Sequence, residues 1–536
     1  MMITDKDKTE KIFFYAAVIL FIVYAVIGLF FFDDYGCGPD EGMERQTALV
    51  NFKYAIQKFH IPISEENKAW MEYLPDLHEY RDRYYGTALH FPLVLIESAY
   101  HFKLEPSQFY GMRHFYTFFN VYIGLICFYK LLTNRFGSRK YGFFAVLMMI
   151  LTPRFFAESF YNNKDIIFVA WYIICSYLMD KWFRKKSLKS SVMLAFALAI
   201  TCNTRFNGII FLPILIALFV FDSFRSKKLN NLNYLILTLF FTLLFFYMIT
   251  PNFWEKPFQT LIETSQFNMH HPNHGSDGNL FKGILVDAAA TYTYIPTWII
   301  ITTPVIYIIF MISGACKYIF DAIRNLFKLD FDRINLADLM MFVSGYAAVI
   351  FIIIKHVTIY NGWRHCYFAY PCFVYFAIYF FNQLDAKKAA FIRYAAYSVT
   401  VLSCLYNMYW IIRNHPFEYV YFSPVVRNNP GDYSGDYWSV SSRALLEYIM
   451  ENEPGRVLKI NHAHSQAGSI NRGLFPEETR DYIILTYDQT EDVDYYIVCR
   501  DDIPSVDIDL KGYKKVYAIT VDNDQIGAVF QKEVSQ

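Results

Sequence analysis

Asp33-Asp34-Tyr35-Gly36-Cys37-Gly38-Pro39-Asp40-Glu41-Gly42-Met43-Glu44-Arg45 follows directly on residues 12–32, an apolar run without a charged side chain. The run is of bilayer length, and no small-residue cleavage site follows it, which favours a retained transmembrane helix over a signal peptide. Acidic residues placed where a chain leaves a membrane are costly unless they meet water, a cation or a substrate. Gly36, Gly38 and Pro39 break the helix and allow a tight turn. Asp40 can then cap the apolar-periodic segment that starts near Met43 and runs towards Phe59. The expected result is a carboxylate pair, Asp40-Glu41, fixed at the membrane surface, with the rest of the chain as its scaffold.

The composition agrees. Of 536 residues, 55% are hydrophobic, 20% aromatic and only 18% charged, which is not the make-up of an ordinary soluble enzyme. Mean hydropathy is +0.21. With 49 basic and 49 acidic residues there is no basic excess to hold nucleic acid. The 9 Cys are scattered, several inside apolar runs, with no CxxC or metal-ligand spacing, so they read as small core residues. Cys37 and Cys499 are the two that remain open to pairing.

Further apolar runs lie near residues 113–133, 141–156, 166–180, 190–204, 206–221, 232–250, 295–315, 337–354, 364–382 and 391–412. With the first, they make about eleven spans, so the chain reads as a mainly α, polytopic membrane protein. Residues 89–102 are apolar but short and rich in Tyr, His and Phe, and are expected to lie at the interface. If the N-terminus is cytoplasmic, the inside loops carry Arg135, Arg139 and Lys140, then Lys181, Arg184, Lys185, Lys186 and Lys189, then Arg225, Lys227 and Lys228. Lys317, Arg324, Lys328 and Arg333 follow, and last Lys387, Lys388 and Arg393. The outer loops carry far fewer, as the positive-inside rule requires. Asp40-Glu41, Asn162-Asn163-Lys164-Asp165, Arg205, His270-His271 and Trp363-Arg364-His365 then share the outer side. After Arg413 apolar runs shorten, and residues 481–487, 494–499 and 514–521 alternate as strands while 439–450 reads as a helix. This divides the chain into a transmembrane catalytic domain, 1–412, and a small extracytoplasmic α/β domain, 413–536.

Asp40 suits a general base that takes a proton from an incoming hydroxyl or amine, with Glu41 orienting that acceptor; a plain helix cap is the alternative for Asp40. Asp33 and Asp34 add the option of a divalent cation held by carboxylates. Lys164 can neutralise a phosphate, and Asp165 can cap the next span while binding a sugar hydroxyl. Arg205 and Arg364 offer planar donor forks suited to phosphate. Trp363 offers a face for a sugar or prenyl chain. Snorkelling is the alternative for Lys164 and Arg205, and an aromatic-belt anchor for Trp363. Acid groups for an acceptor, cations for a leaving phosphate and a lipid-facing scaffold are what sugar transfer from a lipid-phosphate donor requires.

The chain resembles the polytopic GT-C glycosyltransferases, in the family-39-like branch that includes protein O-mannosyltransferases and the lipid A aminoarabinose transferase. The resemblance rests on Asp40-Glu41 after the first span, Arg81-Asp82-Arg83-Tyr84-Tyr85-Gly86 with Leu89-His90-Phe91-Pro92, and residues 153–165. Thr204-Arg205-Phe206-Asn207-Gly208, Asn361-Gly362-Trp363-Arg364-His365, Glu418-Tyr419-Val420-Tyr421-Phe422 and Asp436-Tyr437-Trp438 extend it to about residue 450. It implies the GT-C fold with juxtamembrane helices after the first span. It also implies an inverting transferase that uses a polyprenyl-phosphate monosaccharide, with Asp40 as base, Asp165 as the second acidic position, and Arg81 or Arg83 as a juxtamembrane phosphate contact. No cofactor is expected. The implied setting is a bacterial plasma (inner) membrane with the active site outside. Two positions depart from the pattern: Asn163 stands where relatives often have Pro, and Ile166 where Pro usually follows the loop's acid. The acceptor, a glycan, lipid or protein, is not readable. A lipid-linked sugar transporter or flippase would need polar residues along the middle of several spans. An oligosaccharide polymerase or ligase would use a similar outer face.

Overall fold

The computed structural model describes residues 5–229, 231–269, 278–387, 390–426 and 429–533. The opening apolar run is the core of α1 (Asp5–Phe31). The chain then turns into α2 (Pro39–Phe59), α3 (Glu65–Glu72) and α4 (Phe91–Ala99). At 9 residues α4 is too short to cross a bilayer, as residues 89–102 lead one to expect. There follow α5 (Pro106–Phe136), α6 (Arg139–Ile150), α7 (Pro153–Tyr161), α8 (Asp165–Arg184), α9 (Leu188–Thr204), α10 (Phe211–Ser226) and α11 (Leu232–Ile249). After α12 (Pro257–Met269) and a hairpin of β1 (Asn279–Phe281) and β2 (Ile284–Val286) come α13 (Tyr294–Thr302) and α14 (Val305–Phe327). The helical part closes with α15 (Leu336–Phe342), α16 (Ala348–Ile354), α17 (Tyr370–Asp385) and α18 (Ala390–Asn414).

Among the described residues, 8 helices are long and apolar enough to cross a membrane, or 9 with α6 and α7 taken as one broken span. The protein is a multi-pass membrane protein. The break has a local cause: Pro153 opens α7, Thr152 before it is extended, and the two helices bend by 73°. Pro304 splits residues 295–315 in the same way, into α13 and α14. The two remaining expected spans are short helices, α9 of 17 residues and α17 of 16.

The basic loops meet in ion pairs at one end of the bundle. Arg135 at the end of α5 holds Asp338 of α15, Lys140 at the start of α6 holds Asp385 of α17, and Lys186 after α8 holds Asp222 of α10. At the other end of the same helices, α1 and α18 finish together, with His415 Nε2 2.8 Å from Asp34 Oδ2. This second end carries the remaining chain.

There, α19 (Ser442–Asn452), β3 (Leu458–His464), α20 (Gly468–Gly473), α21 (Glu477–Arg480), β4 (Ile483–Thr486), β5 (Tyr495–Cys499), β6 (Tyr513–Val521) and β7 (Asp524–Lys532) build a five-stranded sheet in the order β4-β3-β5-β7-β6. β4, β3 and β5 run parallel, while β7 and β6 add an antiparallel edge. Residues 483–486, 495–499 and 513–521 are the expected strands; β3 and β7 are additional. The sheet does not hang from a tether. One apolar core runs from Leu125, Ile173 and Phe376 in the helices, through Tyr421 and Trp438, to Leu445, Ile460 and Val529 beneath the strands. The nine cysteines are free, Cys37 and Cys499 included, so the pairing left open by the sequence is not formed.

Candidate functional site

The turn after α1 works as the sequence suggests, with one difference. Pro39 occupies the first turn of α2, and Gly38 N–H donates to Glu41 Oε1 at 3.0 Å, so Glu41 rather than Asp40 caps the helix. Glu41 Oε2 lies 3.0 Å from His114 Nε2, and the side chain is buried. Consecutive helical residues point about 100° apart, so Asp40 and Glu41 cannot share one surface. Glu41, expected to orient the acceptor, has both its oxygens engaged inside the protein.

Asp40 faces the other way. Its side chain keeps 26% exposure, enough to be reached, while Arg364 Nη1 donates to its Oδ2 at 2.8 Å. The same Nη1 stands 3.8 Å from Asp165 Oδ2. Arg205 pairs with the other oxygen of Asp165, and Lys164 pairs with Glu44. Lys164, Arg205 and Arg364 thus balance Asp40, Glu44 and Asp165 in one network drawn from α2, the start of α8, the end of α9 and the loop before α17. Glu44 was not singled out in the sequence. It lies one helical turn from Asp40, on the same face of α2, and this i,i+4 spacing is the signal for it.

The electrostatics follow from this packing. Burial alone would raise the Asp40 carboxyl, but the charges of Arg364, Lys164 and Arg205 outweigh it and hold the group below the usual carboxylate range. Glu44 goes up, because its burial outweighs Lys164. Burial and the charges of Arg113 and Lys164 push His90 down to about 3, so a neutral imidazole stands 3.6 Å from Glu44. Asp40 is therefore ionised at neutral pH and is the one carboxylate of the network that is not fully buried.

Aromatic rings shape the surroundings. Lys164 Nζ lies 3.5 Å from the ring centre of Tyr85. That contact depends on Gly86, where a Cβ would sit 1.6 Å from the carbonyl oxygen of Asn203 at the end of α9. Arg364 stacks between Tyr360 and Trp438, at 4.7 and 4.6 Å. Trp363, expected as a platform or belt anchor, is buried instead and donates from Nε1 to Thr302 Oγ1 at 2.9 Å. Trp438, from the chain leading to the sheet, takes the position at the site. His365 packs edge-on against Tyr360 at 4.5 Å.

Other expected residues lie outside the network. Arg83 donates to the Tyr80 carbonyl at 3.1 Å and to the Tyr84 hydroxyl at 2.6 Å. Arg81 is exposed. No ion pair or hydrogen bond ties either to Asp40, Lys164 or Arg205 among the described residues. Tyr84 and Tyr85 do line, with Lys164, Arg205 and Asn207, a recess of about 40 Å³ beside the network. Asp34 is taken by His415, and Asp33 and Asp34 join no metal-ligand grouping among the described residues. His270 and His271 fall outside the described residues.

Several buried donors have no partner among the described residues: Arg205 Nε, Arg364 Nε and the Asn163 amide. Buried polar groups are ordinarily satisfied, and exceptions call for an explanation. Such atoms occur elsewhere in the protein too, but these three belong to, or adjoin, residues of the ion-pair network. Cationic and amide donors of this kind can receive an anionic oxygen, and Asp40 can receive a proton.

A family model described as dolichyl-phosphate-mannose-protein mannosyltransferase matches residues 112–250, which contain Lys164, Asp165 and Arg205. None of the curated protein sequences matches. Among solved structures, the chain is similar to ArnT from Cupriavidus metallidurans bound to undecaprenyl phosphate, at 12% identity and TM-score 0.46, over 96% of this chain and 97% of that one. It is also similar to the oligosaccharyltransferase AglB from Archaeoglobus fulgidus in complex with an inhibitory peptide and a dolichol-phosphate, at 11% identity and TM-score 0.48, over 90% of this chain and 69% of that one.

Proposed function

We propose that this protein is a membrane glycosyltransferase that moves a monosaccharide from a polyprenyl-phosphate donor to a hydroxyl or amine of an acceptor, inverting the anomeric centre. The observation that carries the reading is a partly open, ionised carboxylate, Asp40, held by Arg364, which with Arg205 also borders Asp165, while Arg205 Nε and Arg364 Nε have no partner among the described residues. The match of residues 112–250 to a family of lipid-phosphate sugar transferases supports the same donor class.

In this reading Asp40 takes the proton from the acceptor as its oxygen or nitrogen bonds to the anomeric carbon. The bond from that carbon to the phosphate oxygen breaks, and the polyprenyl phosphate leaves with the electron pair. Lys164, Arg205 and Arg364 meet the charge that develops on the phosphate. Arg81 and Arg83 guide the phosphate at the rim, and His365 and Asp165 border the sugar. The basic residues at the opposite end of the bundle support a site on the outer face of the membrane, which this reading takes to be a plasma membrane. The chain after Arg413 then stands outside and meets the acceptor.

The test is release of free polyprenyl phosphate from radiolabelled polyprenyl-phosphate sugars in proteoliposomes. Release with at least one donor, and a product of inverted anomeric configuration, is expected. Transbilayer movement of intact donor without release would overturn the reading in favour of a lipid-linked sugar transporter. Transfer confined to preassembled oligosaccharides would favour a polymerase or ligase.

A further inference from the structure

We propose that Cys37, Glu41 and His114 bind a zinc ion that locks the turn carrying Asp40 onto α5. The three side chains come from separate segments: the turn after α1, the first turn of α2, and α5. Cys37 Sγ, a Glu41 carboxylate oxygen and a His114 ring nitrogen all lie within 4.8 Å of one another, and all three residues are buried. His114 Nε2 is 3.0 Å from Glu41 Oε2 and 3.9 Å from Cys37 Sγ. Ligand atoms at about 2.0–2.3 Å from a tetrahedral zinc stand about 3.3–3.8 Å apart, so the two separations bracket the required one.

Each ligand is also held from behind, as metal ligands characteristically are. His114 Nδ1 is 3.1 Å from the Phe32 carbonyl and donates to it, so Nε2, directed at the other two groups, is the nitrogen that would give up its proton to bind a metal. Glu41 Oε1 accepts the Gly38 N–H, which turns Oε2 to the same point. Asn471, from the sheet region, clamps the backbone of Cys37 on both sides: it accepts from the Cys37 N–H at 2.8 Å and donates to its carbonyl at 2.9 Å. The clamp fixes the backbone point from which the Cys37 thiol reaches Glu41 and His114.

The chemistry selects the ion. One thiolate, one carboxylate and one neutral imidazole around a divalent cation sum to zero charge, which suits a buried position. The mixed sulfur, nitrogen and oxygen set favours zinc over magnesium or calcium. None of the three ligands belongs to the network around Asp40, so the ion would position the site without entering the reaction.

The experiment is elemental analysis of the full-length protein purified in detergent without chelator. About one zinc per chain is expected, falling to background in Cys37→Ala and in His114→Ala. Where those variants fail to fold, wild-type protein stripped of metal and reloaded with Co²⁺ decides, through the near-ultraviolet charge-transfer band of a thiolate–cobalt bond. Background zinc in folded wild type that also takes up no Co²⁺, or full zinc content in folded Cys37→Ala, would overturn the proposal and leave the ion pair only. Neither readout depends on turnover.

Discussion

Arg364 Nη1 donates to Asp40 Oδ2 at 2.8 Å across 324 residues of sequence. The contact joins the loop before α17 to the first turn of α2, and it holds Asp40 ionised while leaving part of its carboxylate open. A base so held loses activity only when acid protonates it. Arg364→Gln removes the largest charge acting to keep the Asp40 carboxyl low. The acid limb of the pH–rate profile should then move to higher pH, with Arg364→Lys moving it less. An unmoved acid limb in Arg364→Gln would show that Asp40 is not the group being titrated.

Lys164 and Arg205 are assigned to the phosphate. Lys164→Gln and Arg205→Gln should each weaken donor binding, by about 1.5–3 kcal/mol or roughly tenfold or more. The check is the Kd for a non-transferable polyprenyl-phosphate analogue beside the KM for the acceptor. A change in acceptor KM with donor binding intact would contradict the assignment.

Glu97 makes a structural prediction. It accepts from Arg45 at 2.9 and 2.6 Å and pairs with the fully buried Arg113 at 2.5 Å. Glu97→Ala leaves a buried guanidinium without a counter-charge, which costs about 3–5 kcal/mol. Thermal unfolding in detergent should show this as a lowered Tm, and Glu97→Asp should recover part of it.

His415 gives stability a pH dependence. Its burial lowers the imidazolium, but bonds to Glu418 at 2.7 Å and Asp34 at 2.8 Å more than compensate and raise it to about 9. Since the folded value lies above the ordinary 6.5, the stabilisation is full below about pH 6.5 and is lost as pH rises through about 9. Unfolding followed from pH 6 to 10 should show this decline, and His415→Gln should flatten it.

Much of this was legible in the chain because membrane proteins place polar residues sparingly. Asp40, Lys164, Asp165, Arg205 and Arg364 each stand at the edge of an apolar run, where a charge has few bland explanations. What joins to what was not legible. The Asp40–Arg364 contact spans most of the sequence, and nothing local encodes it. Adjacency in sequence does not give adjacency in space here: helical periodicity puts Glu44 on the Asp40 face of α2 and turns Glu41 inward to His114. Trp438 could not be told from Trp363, since both lie beside loop glycines or acids and both end up buried; only packing sets Trp438 against Arg364 and Trp363 against Thr302. In the C-terminal sheet, β7 escaped notice because Gly527 and Ala528 dilute its β-branched pattern.

The most direct measurement is turnover of radiolabelled polyprenyl-phosphate sugar by wild type and by Asp40→Asn in the same proteoliposomes, with donor binding measured separately. The account predicts that Asp40→Asn folds and binds donor while release of polyprenyl phosphate falls about 10²- to 10⁴-fold. Wild-type turnover in a folded Asp40→Asn variant would remove Asp40 from the centre of the site.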